Sequence, residues 1–454
     1  MTVYQPESVG GAARVAYELA QQFSTAHETA IICTAERTGF RRADGVLMLG
    51  IEGTGDDALR VPVLSAANVK TIIDFMDTYD PDVVHAHGIV GVAQLAQIWA
   101  QLHGVPFVYT AHALSKQILS FGGDELSSSL RNGIVDSVVR RYMKSFHRHC
   151  DAIIALNRPA AQDLTDFGYR GRVFLIPNGR FLGQYAHGAM ASLTDERIVL
   201  LYTGSISASK NQVYLLDVLT HLPPRYILRL VGEPLDPDYG PDFAARIAAL
   251  GLEARVELVG QVPPEQVPAE LAGAHLFVSA SEVEVQSLAV IEALAAGKPI
   301  VGLGNETVDE LIDERVGCRL PPNTPALRFA EEVRHLCERP QSEYKALCDA
   351  ARQRVAHLDW ANVMTETTDA YHLLRQIKAE ESQHEPFSPA AESRREGTLL
   401  GREHWTRAWR WLNRVVRQPW VFASLAMMIS TAWKLYERSK RRFSRLKEIG
   451  AGRF

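Results

Sequence analysis

The sequence predicts an α/β protein of two doubly wound domains, each a parallel sheet with helices on both faces. Three observations carry this expectation. Short apolar, β-branched runs alternate with amphipathic stretches over most of the chain. The alternation stops once, at a glycine-rich stretch, and then restarts. The 454 residues suffice for two or three domains at roughly 100–200 residues each. With 46% hydrophobic and 22% charged residues, most of the chain can build ordinary globular cores.

The elements follow in order. "TAIICTA", "DVVHAHG", "FVYTAHA", "DAIIALN" and "RVFLIPNG" read as buried strands of the first sheet. Ala12–Phe23 and Val92–Leu102 have helical period between them. The pattern breaks in "PNGRFLGQYAHGAMASLTDE", which places a hinge near 180–196. It resumes with "IVLLYTG", "YILRLVG", "RVELVG", "HLFVSA" and "KPIVGLG". The first domain is therefore expected over 1–182 and the second over 183–358. Past Tyr371 the composition turns polar, and 376–402 reads as a flexible linker. A Trp-rich basic segment, 403–454, follows.

Cys33, Cys150, Cys318, Cys337 and Cys348 are odd in number and lack CxxC spacing, which argues against a disulfide framework or zinc site and for a reducing, cytoplasmic compartment. No basic region followed by an apolar core opens the chain, so no secretory signal is expected. The formal net charge of −5 conceals an asymmetry: residues 401–454 hold 13 Lys and Arg against Glu403, Glu437 and Glu448. A basic tail on an acidic body points to an anionic partner, membrane or nucleic acid.

The chemistry is concentrated in "SEVEVQSLAVIEALAAGKP", Ser281–Pro299. "HLFVSASEVEVQSLAVIEALAAG" fits strand, loop, then helix, and a helix N-terminus after a parallel strand favours phosphate. Glu284 falls in the loop and Glu292 a turn or more into the helix. They would bracket a phosphate held by the amides of Gln286, Ser287 and Leu288, while their carboxylates accept hydrogen bonds from sugar hydroxyls. That suits a nucleotide sugar. An isolated pair of acids at this spacing would ordinarily be two solvated, helix-flanking side chains.

The pair is not isolated. The stretch resembles the E-x7-E motif of retaining glycosyltransferases of the GT-B fold, in particular glycosyltransferase family 4, through "SLAVIEALAAGKPIV". "PESVGGAARVAYELA" resembles the family's glycine loop and first helix, "PDVVHAHG" and "FVYTAHA" its next strands, and "IPNG" the end of its first domain. "YTGSISASKNQ" resembles the first strand and basic loop of its second domain, and "DWANVMTETTDAY" the last helix, which crosses back to the first domain and is expected over 359–375. The resemblance implies two Rossmann-like domains facing across a cleft. It implies that Glu284 holds donor-sugar hydroxyls, Glu292 the ribose, and Lys210 the pyrophosphate. Gly10 and Gly11 would let the backbone approach that pyrophosphate, Gly204 and Ser205 would form the opposing loop, and His112 would face donor sugar and acceptor.

The implied reaction retains anomeric configuration by front-face attack, the leaving phosphate helping to remove the acceptor proton. No DxD-like acidic cluster presents itself as a divalent-metal site on a strand end, so neither a metal nor any other cofactor is expected. Two departures stand out. Where the family has Arg after the first glycine of the second domain, this chain has Ser205, leaving Lys210 alone or Arg180 as a substitute cation. "IPNGRF" lacks the Asp that often follows Asn-Gly. Other readings are an epimerase or phosphorylase on the same fold, or a catalytically weak scaffold acting through its tail.

The tail interleaves Trp with Arg around 16 uncharged residues between Arg417 and Lys434, short of the ~20 of a comfortable span. It reads as interfacial or re-entrant helices at the inner face of an anionic membrane, with a tilted span or a partner-binding helix as alternatives. A continuous apolar run does not suit nucleic acid. A lipid or lipid-linked glycan acceptor follows as the expectation.

Overall fold

The computed structural model describes residues 11–55, 60–89, 91–120, 129–186, 191–234 and 239–384. Residues 1–127 and 141–381 group as one compact unit, and 128–140 with 382–454 as another. The described part of the second unit is helical, belonging to the Ser129–Arg148 helix and to the end of the Trp360–His384 helix. Gly10 and the tail 403–454 lie outside the described residues.

The first half contains β1 (Ala30–Ala35), β2 (Gly39–Ala43), β3 (Val46–Gly55), β4 (Arg60–Pro62), β5 (Val84–Ala86), β6 (Phe107–Ala111), β7 (Ala152–Ala155) and β8 (Val173–Leu175). Strands β5-β6-β7-β8 form a parallel sheet in that order. Strand β3 lies parallel to β1 but antiparallel to β2 and β4. The antiparallel strands correct the expectation of parallel pairing throughout. The turn Asp44–Gly45 supplies two residues with positive φ, which a tight hairpin requires.

The second half contains β9 (Ile198–Thr203), β10 (Tyr226–Val231), β11 (Val256–Gly260), β12 (Leu276–Ser279), β13 (Ile300–Leu303) and β14 (Gly317–Leu320). All pairings are parallel, in the order β11-β10-β9-β12-β13-β14. This is the doubly wound order whose winding reverses between the first strand and the fourth.

The Trp360–His384 helix packs Trp360, Val363, Ala370 and Leu374 with Val15, Leu19, Val108, Ile154 and Ile176, so it completes the core of the first half. Gly179 permits this: a Cβ there would lie 2.2 Å from the Trp360 ring. The helix runs nine residues past the expected end at 375 and removes 376–384 from the expected linker. Ion pairs account for the extension: Lys378 meets Asp151 at 2.6 Å and Glu381 at 3.5 Å, one turn apart on the same helix. Among the described residues, no helix is long and apolar enough to cross a membrane.

Candidate active site

Winding reverses between β9 and β12, and the C-terminal ends of the strands at such a reversal are where doubly wound sheets form a ligand-binding crevice. The loops leaving these strands carry Gly204–Lys210 and Glu284–Ser287. They are fastened to each other by Glu282 N–H donating to the Ser209 carbonyl at 3.1 Å. Gly204 and Gly232 adopt φ of 134° and 141°, and a Cβ on Gly232 would stand 2.1 Å from the Gly204 oxygen. Buried Gln212 pins the first loop, accepting from Ser207 N–H at 3.2 Å and donating to the Ser205 carbonyl at 2.8 Å. Ser205 brings no charge. Lys210, at the end of the short Ala208–Lys210 turn, donates from Nζ to Glu284 Oε1. The side chains of this pair are 24% and 15% exposed.

The loop before the Leu288–Ala295 helix is stapled by Thr307, whose Oγ1 donates to the Glu284 carbonyl at 3.1 Å and accepts from Ser287 N–H at 2.8 Å. The Ser287 amide is therefore engaged within the protein, which corrects the expectation that it is a phosphate donor. Gln286 points to the other half: its Oε1 accepts from Asn178 N–H at 2.6 Å and its Nε2 donates to Leu156 O at 3.3 Å. Asn157 donates to the Val285 carbonyl. Leu288 packs in the core of the first half, and its Cδ1 lies 3.7 Å from where a Cβ on Gly11 would stand. The glycine that opens the Gly11–Ser24 helix is thus beside the motif helix.

Glu292 sits in a largely buried ion cluster. Arg180, fully buried, donates from Nη2 to Glu292 Oε1 and from Nη1 to both Glu18 oxygens at 2.8 and 2.7 Å. Tyr185 accepts from Nη2 at 3.3 Å, and Trp360 Nε1 donates to Glu18 at 3.4 Å. Arg14 lies 2.9 Å from Glu18 and 3.9 Å from Glu292. Burial alone would pull the Arg180 guanidinium down, but Glu292 and Glu18 outweigh it and shift it upward. Arg180 is therefore committed inside the protein, and the expectation that it substitutes for the missing phosphate cation is corrected. Arg180 directly follows Asn178-Gly179, in the stretch whose missing Asp is the one sequence signal at this position.

Three histidines line the ends of β5 and β6. His85 lies within β5 and His87 directly follows its end, two residues on and so toward the same face. His85 Nδ1 is 2.6 Å from the Tyr371 hydroxyl and its Nε2 is 2.7 Å from Thr110 Oγ1. His87 Nδ1 is 2.8 Å from His112 Nε2, with ring centroids 5.1 Å apart and planes inclined by 27°, so the rings meet edge to edge along the bond. Burial holds all three imidazoles below their ordinary range, His112 at about 4. No hydrogen bond joins His112 to Lys210, Glu284 or Glu292 among the described residues. The H-x-H spacing in "HAHG" is the signal by which His85 and His87 could have been singled out with it.

Residues 9–180 match the family described as Glycosyltransferase Family 4, and residues 190–354 the family described as Glycosyl transferases group 1. A GDP-mannose:cellobiosyl-diphosphopolyprenol alpha-mannosyltransferase of Xanthomonas oryzae pv. oryzae is 24% identical over 378 residues, 80% of this chain and 93% of the relative. A glycogen synthase of Mycobacterium tuberculosis is 27% identical, over 69% of this chain and 73% of that protein. The structure of Anabaena HepE in complex with UDP superposes with a TM-score of 0.63 at 19% identity, covering 81% of this chain and 98% of the other. Two family matches that meet at the hinge, on a fold shared with known GT-B proteins, identify the chain as a glycosyltransferase of the group 1 and family 4 type.

Proposed function

We propose that this enzyme is a retaining transferase that moves a sugar from a nucleotide diphosphate to a hydroxyl of a lipid or lipid-linked glycan at a membrane surface. The observation that supports it most is the Lys210–Glu284 pair at the reversal point of the sheet. Without substrate each side chain neutralises the other. A bound donor replaces both partners: its diphosphate takes Lys210, and its sugar hydroxyls donate to Glu284. Negative charge then grows on the diphosphate as the glycosidic bond breaks, so a pre-placed cation stabilises the transition state more than the ground state. Glu292 accepts from the ribose, and Gly10 and Gly11 close over the pyrophosphate. His112 faces the sugar and the acceptor. The diphosphate helps remove the acceptor proton, giving retention, and Lys210 supplies the charge without a divalent ion.

The acceptor class rests on the Xanthomonas relative, whose name specifies a diphosphopolyprenol-linked glycan and which this chain matches over 93% of its length. The Trp-rich 403–454 segment, with its excess of base, suits attachment to anionic lipid.

The test is a panel of nucleotide sugars read by thermal shift, since a true donor stabilises the fold by mass action. The selected donor is then assayed with a polyprenyl-diphosphate-linked disaccharide and with a soluble glucan, in the presence and absence of EDTA. Turnover on the lipid-linked acceptor, unaffected by EDTA and with retained anomeric configuration by NMR, is the expected result. Turnover on the glucan alone overturns the acceptor class, inverted product overturns retention, and stabilisation by no nucleotide sugar overturns the donor. A chain ending at Leu400 is expected to leave the membrane fraction while keeping activity on a short soluble acceptor analogue.

A further inference from the structure

Two adjacent imidazoles joined ring nitrogen to ring nitrogen obey a strict proton count. His87 Nδ1 and His112 Nε2 are 2.8 Å apart, so one nitrogen donates and the other accepts. A pair that is buried and neutral holds one proton in that bond. This fixes more than a contact. It uses up Nε2 of His112, leaving Nδ1 as the ring nitrogen for anything in the cleft. It also ties the His112 tautomer to that of His87, because the proton in the shared bond decides which other nitrogen carries N–H. His87 is itself held. Its ring lies 4.3 Å from that of His85, and His85 is anchored at both nitrogens by Thr110 and by Tyr371 of the Trp360–His384 helix. A polar column therefore runs from the crossing helix to the end of β6.

We propose that His87 is a positioning residue for His112: it grips Nε2, fixes the ring and its tautomer, and presents Nδ1 to the substrate. The inference rests on the proposed reaction only for the identity of that substrate. His87 does not touch the reacting atoms; it acts through its neighbour, as outer partners of a histidine commonly do.

The test uses the full chain with His87→Leu, His87→Asn and His87→Gln. An Asn amide reaches where Nδ1 of a histidine stood, whereas a Gln amide reaches where Nε2 stood. His87→Leu is expected to lower kcat roughly 10–100-fold, the range found for loss of an outer partner of a functional histidine, while affinity for the free nucleoside diphosphate stays at the wild-type value. His87→Asn is expected to restore most of the rate and His87→Gln little of it. Likewise His112→Asn, which keeps an amide at the Nδ1 position, is expected to retain more activity than His112→Gln. Wild-type kcat in His87→Leu, or equal rescue by Asn and Gln, would overturn the proposal.

A second arm is independent of turnover. Imidazole ¹⁵N spectra of the ligand-free, histidine-labelled protein are expected to show one neutral tautomer for His112, and a tautomer mixture in His87→Leu. An unchanged His112 signal in that variant overturns the inference. If the wild-type protein turns over no nucleotide sugar, the proposed reaction fails while the spectra still decide the role of His87.

Discussion

The two glutamates of the E-x7-E motif each meet a cation, and the two pairs could hardly be more differently housed. Glu284 meets Lys210 at the mouth of the crevice, with both side chains partly open to water. Glu292 meets Arg180 where the guanidinium has no exposure and the carboxylate side chain 7%. Exchange explains the difference. An open pair can trade partners for a ligand, because water and substrate can replace what each charge gives up. A buried pair cannot, because a buried charge without a partner costs far more than a solvated one. Lys and Arg divide accordingly. The flexible, compact ammonium holds the exchangeable position, and the planar fork that reaches Glu18, Glu292 and Tyr185 together holds the fixed one. Arg180 holds Glu292 through Oε1 alone and the carboxylate side chain keeps some exposure, so the proposed contact with the ribose is a bond added at the other oxygen, made without giving up Arg180.

The largest effect is expected from Arg180→Met. It leaves Glu18 and Glu292 buried, with Arg14 the nearest remaining cation. Removing one partner from a buried ionic group costs about 3–5 kcal/mol. Denaturant unfolding is expected to show a loss of that size in the unit that contains both halves. A midpoint equal to wild type would mean that the cluster is open to water, and the contrast with Lys210 would collapse.

Lys210→Ala is expected to leave the unfolding midpoint close to wild type, because the released Glu284 can be solvated. Its cost falls on the chemical step. Loss of one pre-placed group that stabilises transition-state charge lowers kcat by about 10²–10³-fold, and the absence of an arginine at Ser205 puts the expectation at the upper end. Steady-state kinetics beside calorimetry with free nucleoside diphosphate separates the two effects. A variant with most of its kcat intact would assign the charge to another base.

Glu292→Gln sharpens the comparison from the other side. The amide oxygen can still accept from Arg180, so the fold is expected to lose less than in Arg180→Met. Nucleoside diphosphate affinity is expected to weaken by about 1–3 kcal/mol as a charged acceptor for the ribose becomes neutral. Wild-type affinity would remove Glu292 from the nucleotide site and leave it a member of the ion cluster alone.

Most of the fold was legible in the sequence because parallel strands buried on both faces write themselves as apolar runs, as "IVLLYTG" and "HLFVSA" do for β9 and β12. Strand β2 escapes a sequence reading for the same reason in reverse, whereas β3 does carry a buried apolar run, "VLMLGI". "GFRRA" is exposed along most of its length and carries no apolar run, so only its pairing with β3 makes it a strand. At the site, motif order carried Lys210 and Glu284 into contact. The partners of Glu292 were invisible, because Glu18, Arg180 and Glu292 are far apart in the chain and a charged residue in a sequence looks solvated until the fold buries it. The engagement of the Ser287 amide is not legible because its partner, Thr307, comes from the Glu306–Leu311 helix that follows another strand, a relation no local pattern contains.

The smallest expected effect concerns acid, and it distinguishes buried ions from buried neutral groups. His112 and His147 are both held at about 4 by burial, below the ordinary 6.5 of an unfolded histidine. As pH falls through 6.5 the unfolded chain takes up protons that the native protein refuses, so native stability declines between about 6.5 and 4. Carboxylates held low behave differently. Asp313, drawn down to about 2 by hydrogen bonds from Arg354 and Arg315 that outweigh its desolvation, contributes stability that persists above the ordinary 3.8 and is lost only below it. A Tm series is therefore expected to fall gradually from pH 7 to pH 4.5, before carboxylates titrate. His147 allows this to be isolated, since it is buried among Tyr109, Phe146, Phe167 and Tyr169, apart from the His85–His87–His112 column. Its Nδ1 is buried without a hydrogen-bond partner among the described residues, so His147→Phe gives up no bond at that atom and removes one titrating group. The variant is expected to unfold at a pH-dependence flatter than wild type over that interval, by on the order of 2–4 °C at its acid end if about 1 kcal/mol is involved. A slope identical to wild type would show that His147 is protonated in the native state, and that the interior around it admits charge as readily as the mouth of the crevice does at Lys210.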